Sequence, residues 1–381
     1  MTRIFYKYYI ITIVYSLFSF NCLAKVELLE TKSMLTSLAT KSVLTSLTKK
    51  NSHNILVVGE HGLIINWQNK NNFKQEISPV SVPFTDITIL PNGLEIAVGH
   101  DGAIITHKHN SENWTKSFDG FQLNDFKITS QKQQIEIFKN KIASITNEDE
   151  KEEAEYTLED LQYSLEDMEG TKGTGPTLPL LSVTHTIDNK IIATGAYGTL
   201  LISDDLAHSW RLIDTLLDNP DNFHLNDIIS TDKGYLYIVG ENGIGFKSVD
   251  NSESWVSMDI PYNGSLFGII SQENSPNLIA FGLQGNYFTS SDNGLTWQRH
   301  NIGNSVSILG GDVTKNGDVY LVGHGGIIIN FNTDTPTKRL ITNHVSGSAF
   351  SDIIIDNNIL ILAGQFGITS LEIPKGLQNN D

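Results

Sequence analysis

Cysteine is almost missing from this chain. Its 381 residues include one, Cys22, inside an N-terminal apolar stretch. The rest of the sequence therefore has no disulfide framework and no thiolate chemistry. Arginine is nearly as scarce, at Arg3, Arg211, Arg299 and Arg339. Arg211 directly follows Trp210 and Arg299 lies two residues after Trp297, which predicts outer strands for both. Three convergent arginines to clamp a carboxylate, as sialidase chemistry needs, are thus not at hand. Positive charge is short overall, with 26 Lys and Arg against 43 Asp and Glu and a net charge of -17. Such a surface argues against nucleic acid and anionic lipid headgroups. Long hydrophobic runs are missing after Tyr8 to Phe20. That run follows Arg3 and Lys7 and ends at Cys22-Leu23-Ala24, the pattern of a signal peptide over 1-24. Export, most simply to the periplasm, is the expectation; a retained anchor is the alternative. No nucleophile elbow, phosphate loop or dinucleotide fingerprint is present, so no cofactor is expected.

Glycine, in contrast, is plentiful and periodic. Gly-x-x-Gly occurs at Gly59-Gly62, Gly99-Gly102, Gly195-Gly198, Gly240-Gly243, Gly282-Gly285, Gly323-Gly326 and Gly364-Gly367. The first glycines are 40, 96, 45, 42, 41 and 41 residues apart. One interval is thus a period plus an insertion of roughly 55 residues. Short β-branched runs flank each turn, such as Ile55 to Val58 and Leu63 to Ile65. They read as strands bounded by glycine. About four strands per unit of this period predict a propeller blade. The fold class is therefore all-β, a seven-bladed propeller with four-stranded blades over 25-381.

Tryptophan keeps the same beat. Trp114, Trp210, Trp255 and Trp297 each lie twelve residues after the second glycine of a turn. Ser290-x-Asp292-x-Gly294-x-Thr296-Trp297 is a full Asp-box; Ser248 to Trp255 and Ser203 to Trp210 are weaker copies. An Asp-box carboxylate bonds turn amides and its Trp packs between blades, so these aspartates are structural rather than catalytic. Phe84-Thr85-Asp86, Leu225-Asn226-Asp227 and Phe350-Ser351-Asp352 recur too. Their Asp, with Ser46 and Ser182 at equivalent places, is expected to form the turn before each inner strand.

The insertion is an α-helical hairpin, placed at 127-178. Ile135, Phe138, Ile142 and Ile145 make one stripe and Leu158, Leu161, Leu165 and Met168 another. Residues 148-169 carry eleven Asp or Glu and one Lys. The two stripes should pack on each other, and the hairpin could also dock a partner. The last unit has room for only one strand after Gly367, so Lys25 to Leu29 is expected to complete that blade and seal the ring.

On these residues the chain resembles a known family. Val57 to Gly62, Pro79 to Asp86, Ala97 to Ile104, and Leu180 to Ser182 followed by Gly195 to Gly198 are similar to the photosystem II assembly-factor-like BNR/Asp-box propellers, in their exported proteobacterial branch. The likeness spans nearly all of the chain after the leader. It implies a sialidase-like fold without sialidase residues. Family members in photosynthetic organisms are lumenal assembly chaperones with an arginine-rich face, which this chain lacks. Members in other bacteria are exported and often associated with RND-type exporters.

The residues and the resemblance together predict a non-catalytic, monomeric scaffold or assembly factor for an envelope membrane-protein complex, with an RND-type exporter as the complex the resemblance implies. A glycoside hydrolase or a glycan-binding lectin using the axial funnel is the alternative. The binding face should be the one carrying the glycine turns. It would display Glu60, His61, His100, Asp101, Tyr197, Glu241, Asn242, Gln284, His324, Gln365 and Phe366, with the aromatics Tyr197 and Phe366 as contact points. His61, His100 and His324 sit in separate turns, so no metal site is expected.

Overall fold

The computed structural model describes residues 27-108, 111-172 and 175-373. The expected leader therefore lies outside the described residues. Among the described residues no helix is long and apolar enough to cross a membrane.

Seven antiparallel sheets form a seven-bladed propeller. Blade 1 is β1 (Leu44–Lys49), β2 (Ile55–Gly59), β3 (Ile64–Asn69) and β4 (Asn72–Glu76). Blade 2 is β5 (Phe84–Ile89), β6 (Glu95–Gly99), β7 (Ile104–His107) and β8 (Thr115–Phe118). Blade 3 is β9 (Leu180–His185), β10 (Ile191–Gly195), β11 (Leu200–Ser203) and β12 (Arg211–Leu212). Blade 4 is β13 (Leu225–Ser230), β14 (Leu236–Gly240), β15 (Gly245–Ser248) and β16 (Val256–Ser257). Blade 5 is β17 (Leu266–Ser271), β18 (Leu278–Gly282), β19 (Asn286–Ser290) and β20 (Gln298–Asn301). Blade 6 is β21 (Ile308–Val313), β22 (Asp318–Gly323), β23 (Ile327–Asn332) and β24 (Leu340–Asn343). Blade 7 is β25 (Phe350–Asp356), β26 (Ile359–Gly364) and β27 (Gly367–Glu372), three strands among the described residues.

The core follows the ring. Seven apolar clusters occur, one at each junction between neighbouring blades. Each second strand is buried on both faces, as Ile55 to Gly59 shows, which explains its unbroken apolar run. The Asp-box tryptophans fill these seams: Trp114 lies between blades 1 and 2, and Trp210 between 2 and 3. Trp255 and Trp297 take the next two junctions.

The insertion is α1 (Gly120–Ile142) and α2 (Glu148–Thr171). α1 begins seven residues ahead of the expected boundary at 127, because Asp119 caps it. The Asp119 side chain accepts from Phe121 N and Gln122 N, and the Gln122 side chain bonds back to the Asp119 backbone. That capping box was legible as Asp-x-x-Gln. Ile135 and Ile142 are buried in the hairpin, whereas Ile145 lies past the end of α1. Leu158, Leu161, Leu165 and Met168 form the half-buried stripe of α2.

Two expectations are corrected. Glu27 to Leu29 does not complete blade 7. Leu28 O accepts from Ser81 N at 2.8 Å, and Leu29 is buried in the seam between blades 1 and 2. Lys25 and Val26 lie outside the described residues. Ring closure comes instead from face packing, with Ala39, Leu44 and Leu47 against Ile354, Ile361 and Ala363. Nor do Asp86, Asp227 and Asp352 form turns. They are inside the inner strands, each at a register shift in the pairing.

Candidate functional site

The seven glycine turns all join the second and third strands of a blade, so they share one face of the ring. The first glycine of each is extended and lies against the loop leading into its own inner strand. A Cβ on Gly59 would stand 2.2 Å from Val43 O, and one on Gly323 would stand 2.0 Å from Ser307 O. The amide after that glycine donates to the same carbonyl, as Glu60 N to Val43 O at 3.1 Å and His324 N to Ser307 O at 3.1 Å. In blades 1 to 6 the third position takes a left-handed conformation, with φ 55° at His61 and Asp101 and 51° at Tyr197; Phe366 in blade 7 does not. The second glycine is left-handed too, which favours residues without a Cβ. The motif is thus fixed by packing, and only its middle positions are open to variation.

Those middle positions are the expected binding residues, and the structure puts all of them on this face. His61, His100, Tyr197, Asn242, Gln284, His324, Gln365 and Phe366 are exposed; Glu60, Asp101 and Glu241 are half-buried. Two of the acids have structural work. Glu60 Oε1 accepts from Val43 N at 3.1 Å, and Glu241 Oε2 accepts from His224 N at 3.2 Å. His61, His100 and His324 stand in blades 1, 2 and 6. Tyr197 is 57% exposed, with its ring 4.9 Å from that of His224, and Phe366 is 65% exposed.

Sequence reasoning missed further apolar side chains on this face. Leu38 lies on the strap that leads into blade 1, and Val345 on the loop after β24; they are 57% and 99% exposed. The helical hairpin also rises here. Gly120 at its foot has no room for a Cβ, which would meet Asp101 O at 2.5 Å. Lys127 Nζ bonds Tyr197 O at 3.1 Å and Asp214 Oδ2 at 2.7 Å, holding α1 over blade 3.

The seven inner strands enclose an axial channel of about 370 Å³. Its wall is sewn by the recurring Thr/Asn/Ser-Asp pairs. Thr85 Oγ1 donates to Leu180 O at 2.8 Å, while Asp86 Oδ2 accepts from Val183 N at 2.8 Å. Asn226 and Asp227 bind Leu266 O and Ile269 N of blade 5 in the same way. Ser351 and Asp352 bind Leu44 O and Leu47 N, and so lock blade 7 to blade 1. Asp312 adds a fourth stitch, to Ile355 N at 2.7 Å. These four aspartates, in blades 2, 4, 6 and 7, are interblade staples; the recurrence of Asp86, Asp227 and Asp352 at one place in the repeat was visible in sequence, their role was not.

Deep placement makes the carboxylates hard to ionise. Burial pushes Asp227 up to about 7 and Asp352 up to about 8, and raises Asp86 and Asp312 as well. Geometry agrees at one point. Ser182 Oγ lies 2.8 Å from both Asp86 Oδ2 and Asp227 Oδ1. A hydroxyl has one proton. Both contacts are hydrogen bonds only when one of the two carboxyls is protonated.

The three arginines among the described residues stand away from the channel. Arg211 pairs with Asp204 on blade 3, Arg299 bonds Asn286 on blade 5, and Arg339 bonds Asn301 O. Among the described residues one group could offer metal ligands: Glu76, Glu95 and His107, whose ligand atoms lie within 4.8 Å of one another. Lys50 Nζ already sits 2.6 Å from Glu95 Oε1, and Trp114 Nε1 donates to Glu76 Oε2 at 2.8 Å. That group works as an ion-pair network between blades 1 and 2.

Solved propellers match this fold. A structure titled YCF48 bound to D1 peptide aligns with a TM-score of 0.58 and 13% identity, covering 90% of this chain and 99% of its own. YCF48 from Cyanidioschyzon merolae gives 0.57 and 12%, with 91% and 98% covered. The WD40 β-propeller domain of Doa1 gives 0.59 at 7% identity, with 91% and 97% covered. Identities this low establish the fold alone. No family model matches the sequence, and no curated protein does.

Proposed function

We propose that this chain is a non-catalytic propeller that binds a segment of another protein on its glycine-turn face. It would serve as a scaffold or assembly factor for a membrane complex of the cell envelope, with an RND-type exporter as one such complex. The observation that carries this reading is the face itself. Exposed aromatic tips, Tyr197 and Phe366, stand on glycine turns held by main-chain hydrogen bonds, with Leu38 on the strap and Val345 on the loop after β24 exposed on the same face. Rigid apolar contacts inside a polar rim are what protein interfaces use. The likeness to a propeller solved with a peptide supports the same reading, as does the family resemblance. The signal-peptide pattern at the N-terminus supports a partner outside the cytoplasm.

A hydrolase in the channel has less support. Asp86, Asp227, Asp312 and Asp352 are already engaged by backbone amides, and the arginines lie on or beside outer strands. The test is site-specific photocrosslinking in intact cells from Tyr197 and Phe366, with Asn92 on the opposite face as control. The expected result is one envelope protein captured from both face positions and not from Asn92. Equal capture from all three, or turnover of glycosides abolished by Asp227→Asn, would overturn the proposal.

A further inference from the structure

The edge of blade 7 differs from the other six. Each of those sheets ends in a fourth strand that is short or guarded by a positive charge. Lys74 lies in β4, Lys116 in β8, Arg211 in β12 and Arg299 in β20, Arg339 precedes β24, and β16 is two residues long. Such devices keep an edge from pairing with a stranger. β27 reads Gly-Ile-Thr-Ser-Leu-Glu, with no Lys, Arg or Pro. It pairs with β26 through six consecutive residues without a register shift. Among the described residues no strand pairs with its outer side. The two-residue turn Gln365-Phe366 closes this hairpin on Gly364 and Gly367. The alternation of an antiparallel ladder then turns the amides of Ile368, Ser370 and Glu372 outward.

We propose that this edge takes an extended segment of a partner protein as its fourth strand, by β-augmentation. The inference rests on the reading of the glycine-turn face as a protein-binding surface and extends it along blade 7. Phe366, 65% exposed at the head of β27, joins the two. The chain's own flanking segments fit the place poorly. Glu27 to Ser33 is held at blades 1 and 2, with Ser33 N on Ser78 O. Pro374 to Asp381 begins Pro-Lys-Gly and closes on Asn-Asn-Asp, rich in types that strands disfavour. The fourth strands of the other blades are mostly polar, for example Gln298–Asn301, so main-chain bonds carry the pairing. A net charge of -17 favours a neutral or basic segment over an acidic one.

The probe is a phage-displayed library of random heptapeptides selected on the full chain. Selected peptides are expected to slow hydrogen exchange at Ile368, Ser370 and Glu372. Ser370→Pro, which removes one outward N–H, should weaken them at least about tenfold. Ser370→Lys, which places a guard on the edge, is the second variant should the proline one fail to fold. Four results would overturn the proposal. Those amides are already protected in the free chain and become exposed when 374-381 is deleted, so that the chain closes its own blade. A dimer is seen by light scattering and lost in Ser370→Pro, so that a second copy is the occupant. The selected peptides protect only the glycine turns, in which case the edge fails while the wider reading stands. No peptide is enriched, while crosslinking from Tyr197 still captures a partner.

Discussion

A methyl group on Gly59 would sit 2.2 Å from the carbonyl oxygen of Val43, nearer than non-bonded atoms approach. Gly59→Ala must therefore push β1 away from β2, and is expected to cost about 2–3 kcal/mol, read from the urea midpoint. The stapling aspartates make the opposite kind of prediction, one about protons. Asp227 and Asp352 bind protons more tightly folded than unfolded, since burial lifts them to about 7 and about 8. Their contribution to stability is complete below about pH 4 and is lost as pH rises through those two values. The Asp-box pair works the other way. Bonds from Ser209 and Thr296 hold Asp205 and Asp292 down to about 2, so their contribution is lost as pH falls through that value. Melting temperature should peak in mild acid and decline toward pH 8. Asp227→Asn should flatten the alkaline decline. Its amide can give Ser182 the proton that the ionised carboxyl lacks, for a gain of about 1 kcal/mol at pH 8. An unchanged slope in that variant would remove the shared proton from the account.

At the scale of elements, the hairpin and the ring are separable. Only the first turns of α1 reach the seam between blades 2 and 3, through Leu123 and Phe126. From Gln131 to Met168 the two helices pack on each other. Replacing 131-168 by a short Gly/Ser loop should change the stability of the ring by less than about 1 kcal/mol, by urea titration. A larger loss would mean that the distal hairpin braces the blades. The strap before β1 is different. Leu29 and Ala39 are buried in two separate seams. A chain beginning at Val43 should lose about 2–3 kcal/mol and unfold at correspondingly lower urea.

For the whole molecule, the number of blades was legible in the sequence, because glycine marks each turn where a backbone must pass close or turn left-handed. Trp114, Trp210, Trp255 and Trp297 were legible as seam residues for a related reason: the hairpin that presents them is local. Asp86, Asp227 and Asp352 were not. Their partners Val183, Ile269 and Leu47 belong to other blades, and one of them is some three hundred residues distant along the chain. From a local viewpoint Asp before a strand is a turn former; only closure of the ring brings a neighbour's amide to it. The same holds for the segment that was expected to finish blade 7. Its apolar pattern said that Leu29 is buried, but not in which seam, since every junction offers an alike surface. Repetition along the chain thus determined the ring and its glycine-turn face. The tertiary closure decided which aspartates became staples, where the strap settled and which sheet has only three strands among the described residues, because each depends on contacts between segments that no local pattern encodes.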